Sequence, residues 1–167
     1  MRSSAASDVY KRQGSYVDEY RFRFDFSHYQ PLTEDEILKV GMLVNKKIME
    51  AIPVECFEED VATAKSMGAM ALFSEKYGSR VRVVKMGDFS TELCGGCHVE
   101  NTGKLGLMKI LSETGVSAGV RRIEGVTGYN VILQMREKSK LIDDVSSVLK
   151  TNPSDLLNSC LLYTSPS

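Results

Sequence analysis

Residues 21–29 read RFRFDFSHY, and residues 32–53 read LTEDEILKVGMLVNKKIMEAIP. The first stretch alternates. Phe22, Phe24 and Phe26 face one way, and Arg21, Arg23, Asp25 and Ser27 the other, which predicts a half-buried strand. The second opens with Thr33 three residues before Glu36. That is a capping box, in which the Thr hydroxyl accepts from the Glu amide and the Glu carboxylate reaches back. Ile37, Val40, Val44 and Ile48, with Met49, then recur at helical spacing until Pro53 ends the helix.

Working outward, VECFEE from Val54 is a short strand, and its Cys56 is expected in the core. Asp60 opens a short helix stopped by Gly68. VRVVKMG from Val81 is a strand. GLMKILSE and VRRIEGVTG are two more, split by a turn region from Gly115 to Gly119. From Tyr129 the pattern turns helical through Val131, Met135, Leu141 and Val145. Asn152-Pro153 breaks it, and residues 154–157 can start another helix. This order predicts an α+β fold, a mainly antiparallel sheet with helices packed on one side.

The 167 residues carry a net charge of −1, so no bulk basic field announces a nucleic acid, and any such contact must be local. No apolar run reaches the ~20 residues that span a bilayer. The glycines match no phosphate-loop spacing. Four cysteines without a regular framework fit a reducing cytosol, and the expected localisation is cytoplasmic. The two ends look foreign. SSAASDVYKRQ (3–13) and CLLYTSPS (from Cys160) resemble translated sequencing adapters. Residues 1–13 and 160–167 are therefore read as non-native tails, and the biological part as 14–159, truncated on its N-terminal side.

The chemistry concentrates in ELCGGCHVENTG, from Glu92 to Gly103. Cys94 and His98 stand at C-x3-H spacing, a soft thiolate and an imidazole suited to Zn²⁺. Gly95 and Gly96 are expected to let the backbone turn sharply and approach a ligand. Two ligands are not a site, and Cys97 or His28 would have to complete it. Three readings stand: half of a metal site, a redox or nucleophilic thiol pair, and a tight glycine turn with buried thiols. Arg121 and Arg122 lie on a strand beside Glu124, either as a solvated edge or as phosphate contacts.

Taken together, RFDFSHYQPLT, MGAMALFSEKYGSRVRVVKMGDFSTELCGGCHVENTG and SAGVRRIEGVTG resemble the editing domain of the alanyl-tRNA synthetase family, shared with threonyl-tRNA synthetase and free-standing deacylases. The resemblance covers residues 14–128, and 129–159 resembles the helical start of the C-terminal region. It implies hydrolysis of Ser-tRNA(Ala) or Gly-tRNA(Ala), with the tRNA(Ala) acceptor end as partner. It also implies zinc held by Cys94, His98 and an H-x3-H pair upstream of this chain. Gln30 matches an editing position, and His28, Gly95, Gly96 and Cys97 become pocket candidates. Cys97 stands where the family usually has Thr. Arg121 and Arg122 become tRNA-contact candidates. ATP and Mg²⁺ belong to the parent synthetase only, as does homo-oligomerisation through the C-terminal region. The rival readings are a free-standing deacylase and an inactive tRNA- or zinc-binding fragment.

Overall fold

The computed structural model describes residues 12–71 and 79–164. Residues 1–11 and 165–167 of the adapter-like tails lie outside these residues, as do residues 72–78 of the MGAMALFSEKYG run. The chain divides into two units, the first through Gly128 and the second from Tyr129.

The class is α+β, but the strands of the first unit form two four-stranded sheets rather than one. Sheet one has the order β1 (Arg12–Val17), β2 (Phe22–Ser27), β8 (Val120–Thr127), β7 (Met108–Ser117), antiparallel throughout. Sheet two has the order β3 (Val54–Asp60), β5 (Arg80–Met86), β6 (Ser90–Leu93), β4 (Met70–Ala71), and only its β4–β6 pair is parallel. The strand β1 was not legible, because RQGSYV has no apolar alternation; it takes in Arg12 and Gln13 and is bulged between Arg12 and Gly14.

Helix α1 (Glu34–Met49) begins with the expected capping box, Thr33 and Glu36 each satisfying the other's backbone amide. It ends before Pro53, through Ala51 at a left-handed φ of 51°. Asn45 docks α1 on the start of β7. Its amide donates to the Met108 carbonyl at 2.8 Å, and its oxygen accepts the Met108 N–H at 2.7 Å. Of Ile37, Val40, Val44, Ile48 and Met49, only Ile48 is buried. Phe22, Phe24, Phe26, Val44, Ile48 and Ile123 instead line an open cavity of about 750 Å³.

The tighter core lies in sheet two. There Val81, Val83 and Leu93 pack with Ala64 of α2 (Val61–Ser66), and Phe57 lies against them. Phe57 faces this core, so period-two alternation turns Cys56 outward; it is exposed, not buried as expected. The β7–β8 turn is tighter than the predicted Gly115–Gly119 region. Pairing runs to Ser117 and Val120, leaving Ala118 and Gly119, the latter at φ +72°.

The second unit consists of α3 (Tyr129–Leu149), a 3-10 turn at Pro153–Asp155 and α4 (Leu156–Thr164). Helix α4 continues past Cys160 into the adapter-like tail. Among the described residues no helix is long and apolar enough to cross a membrane.

Candidate functional site

Leu93 decides where the cysteine cluster sits. Its side chain is buried in the sheet-two core, opposite Val83 in the register. Alternation then puts the next residue, Cys94, on the other face, beside Arg82. The Cys94 N–H donates to the Arg82 carbonyl at 3.2 Å and extends the ladder by one residue. The downstream side is held by Thr102, buried near the exit of α1. Its hydroxyl donates to the Lys47 carbonyl at 2.8 Å and accepts the Ile52 N–H at 2.9 Å. Val54 N–H donates to Glu100 O at 2.9 Å. The turn from Cys94 to His98 is thus slung between two anchored points.

Within it, both candidate ligands flank one empty spot. A methyl group added at Gly96 would lie 3.6 Å from Cys94 Sγ and 3.9 Å from His98 Cε1. The backbone bends at Gly96, as expected, but neither Gly95 nor Gly96 adopts a left-handed φ, so backbone conformation alone does not demand these glycines. What Gly96 provides is room between a sulfur and an imidazole. Cys94 is half-buried and Cys97 and His98 are exposed, which removes the reading of a turn with buried thiols. A thiol and an imidazole on either side of that position are donor types that zinc takes. Among the described residues no third His, Cys, Asp or Glu joins them in a group able to hold a metal, so neither Cys97 nor His28 completes the set.

His28 lies instead at the end of β2. Its N–H donates to Gly119 O at 3.0 Å, and its Nδ1 lies 2.7 Å from the Gln30 carbonyl and 3.3 Å from the Gln30 amide nitrogen, the ring tautomer deciding whether it donates to the first or accepts from the second. The ring therefore fixes the backbone of Gln30, whose residue is exposed. Leu32, two residues on, donates its N–H to Glu113 at 3.4 Å.

Arg121 and Arg122 are committed to carboxylates. Arg121 forms a bidentate pair with Glu113, its Nη2 at 2.7 Å, and the two side chains are 16% and 3% exposed. Arg122 forms another with Asp25, directly opposite on β2, at 2.6 and 2.7 Å. Hydrogen bonding and charge from Arg121 hold the Glu113 carboxyl below its ordinary range against the opposing effect of burial; Arg122 does the same to Asp25. Sequence reading missed Glu113, Asn45, Thr102 and Arg82. Thr102 and Arg82 fall inside quoted stretches without a role of their own there, and each of the four matters through a partner far along the chain or on another strand. Only the alternation of VRVVK, which turns Arg82 away from Val81 and Val83, carried a signal.

Residues 81–124 match the family described as the threonyl and alanyl tRNA synthetase second additional domain. Over 144 residues, 86% of this chain, the sequence is 51% identical to an alanine–tRNA ligase of Bacillus anthracis. Over 140 residues, 84% of the chain, it is 51% identical to one of Pelotomaculum thermopropionicum. The chain spans 16% of the length of each of these relatives.

Proposed function

We infer, from the place of residues 81–124 in the second-additional-domain family and the identity to alanine–tRNA ligases, that this chain is an editing segment of such a ligase. In this reading residues 14–128 supply part of the site that hydrolyses serine or glycine esters of tRNA(Ala), and 129–159 begin the region beyond it. The observation that carries it is the convergence of Cys94 Sγ and His98 on the space beside Gly96, inside the segment that matches the family.

The need for such a site is chemical. An activation pocket built for alanine cannot strongly reject glycine, which is smaller, or serine, which adds one hydroxyl. A second sieve must recognise what the first admits. Gln30 offers a donor and an acceptor to the serine hydroxyl, and the His28 contact fixes the backbone that presents it. Cys94 as thiolate and His98 as neutral imidazole would hold zinc, with an H-x3-H pair from an upstream helix as the remaining ligands. When bound, zinc supplies orientation of the substrate amino group or activation of water. With zinc bound, Cys94 would not serve as the nucleophile, because its nearest base in sequence, His98, would be a ligand. The acceptor end of tRNA(Ala) is the partner. Aminoacylation with ATP and Mg²⁺ belongs to the whole ligase, since no nucleotide-binding motif occurs in this chain. The matched relatives are ligases, which disfavours a free-standing deacylase.

The test compares residues 14–159 with a version extended upstream through the H-x3-H helix, on Ser-tRNA(Ala) with Ala-tRNA(Ala) as control. Hydrolysis of the serine ester by the extended protein alone is expected. Equal activity of the short chain would overturn the four-ligand metal reading.

A further inference from the structure

Gln30 lies between β2 and the cap of α1, with a fastened residue on either side, and both fastenings lead to the β7–β8 hairpin. On one side the His28 N–H donates to Gly119 O, in the turn of that hairpin, at 3.0 Å. On the other the Leu32 N–H donates to Glu113 Oε2, on β7, at 3.4 Å. Pro31 has no N–H, so Leu32 carries the first amide after Gln30 that can tie the segment down. The same Oε2 accepts from Arg121 Nη2 at 2.7 Å, and the Glu113 side chain is 3% exposed. A buried ion pair is often no more stable than a well-packed apolar pair of similar volume. Stability alone therefore gives little reason for two charges between β7 and β8. What an apolar pair could not supply is an acceptor for the Leu32 amide, kept in one place by the planar fork of an arginine.

We propose that Glu113, held by Arg121, is a positioning residue for Gln30: its carboxylate fastens the Leu32 amide and so limits where the Gln30 side chain can stand. The proposal rests on the reading of Gln30 as the group that meets the serine hydroxyl. A serine ester carries that hydroxyl and depends on the placement of Gln30, whereas a glycine ester has nothing for Gln30 to meet. Loss of the fastening therefore lowers selectivity between the two esters, which a general loss of structure would not do.

The experiment compares two double variants with the unmodified protein. Glu113→Leu with Arg121→Met removes both charges and the acceptor. Glu113→Gln with Arg121→Met removes both charges and keeps an amide oxygen for Leu32. In the full 167-residue chain, hydrogen exchange at the Leu32 amide is read by NMR, with the thermal midpoint of each variant. In the version extended upstream through the H-x3-H helix, kcat/KM is measured on Ser-tRNA(Ala) and on Gly-tRNA(Ala), with Gln30→Ala as the reference. In the leucine pair, exchange at Leu32 is expected to rise and the serine-to-glycine ratio to fall, each about five-fold, the scale of one hydrogen bond. The glutamine pair is expected to stay close to the unmodified protein in both. If Gln30→Ala lowers the ratio but the leucine pair does not, or lowers it without faster exchange at Leu32, the role of Glu113 is overturned and the editing reading stands. Equal changes in the two pairs overturn it as well. A ratio that Gln30→Ala leaves unmoved overturns the part given to Gln30, and the proposal with it. Absence of hydrolysis of either ester by the unmodified extended protein overturns the editing reading itself. Should the leucine pair not fold, Glu113→Met with Arg121→Met makes the same comparison.

Discussion

Replacing Arg121 with Met separates a structural role for this arginine from a tRNA contact. The substitution keeps an apolar stem and removes the guanidinium from Glu113, whose side chain is 3% exposed. Glu113 would lose two charge-assisted hydrogen bonds and retain only the long one from Leu32 N–H at 3.4 Å. Stranding one member of a buried pair costs about 3–5 kcal/mol. Arg121 is itself 16% exposed and water can reach its position, so the lower end, about 3 kcal/mol, is expected. Adding Glu113→Gln removes the stranded charge and should recover part of the loss, a coupling of about 2 kcal/mol in a double-mutant cycle. The assay is urea unfolding at pH 7, repeated toward acid pH. Hydrogen bonding and charge from Arg121 hold the Glu113 carboxyl below its ordinary range in the folded state. The pair's contribution is therefore complete above the ordinary carboxylate range and is lost as pH falls through the lowered folded-state pKa, so the cost of Arg121→Met shrinks in acid. A cost below about 0.5 kcal/mol at pH 7, within the range of ordinary surface changes, joined to weaker binding of an acceptor-stem RNA, would refute this reasoning. The guanidinium would then serve phosphate and not Glu113.

Gly125→Ala should destabilise by about 1–3 kcal/mol, read by urea unfolding. Its new methyl would stand 2.5 Å from Phe22 Cζ and 2.7 Å from Lys109 O, and the strand carbonyl cannot step aside as the ring can. Thr102→Val keeps the shape but strips the hydroxyl from the Ile52 N–H and the Lys47 carbonyl; a loss of about 1–3 kcal/mol is expected, and a midpoint matching wild type would dismiss that anchor. Gly96→Ala places a methyl between Cys94 Sγ and His98, whereas Gly95→Ala meets nothing within 4 Å. In the version extended upstream through the H-x3-H helix, the first should lower zinc affinity, read by competition with a chelator, and the second should not. Equal effects would mean that the space beside Gly96 is not where the ligands meet.

Local periodicity carried most of the secondary structure. RFRFDFS alternates and is β2; Thr33 and Glu36 cap α1; Asp60 caps α2, its carboxylate accepting the Thr63 N–H. These signals act over a few residues, so the chain announces them without tertiary help. The partition of strands into two sheets was not legible. Whether β3 rejoins β2 or founds a second sheet with β5 depends on pairings between distant segments. For the same reason β1, which has no apolar face of its own, becomes a strand only on the edge of β2.

The candidate site divides the same way. By itself the sequence singled out a candidate donor pair, since C-x3-H spacing puts a thiol and an imidazole, Cys94 and His98, four positions apart. It also determined that two ligands fall short of a site. Tertiary structure decided the rest. The Val83–Leu93 register faces Cys94 toward Arg82, leaves space and not a strained turn at Gly96, and turns Cys97 to solvent. Cross-strand pairing gave Arg121 and Arg122 their carboxylates. A spacing records which groups are near along the chain, but hydrogen-bond partners and burial depend on strands brought together from far apart.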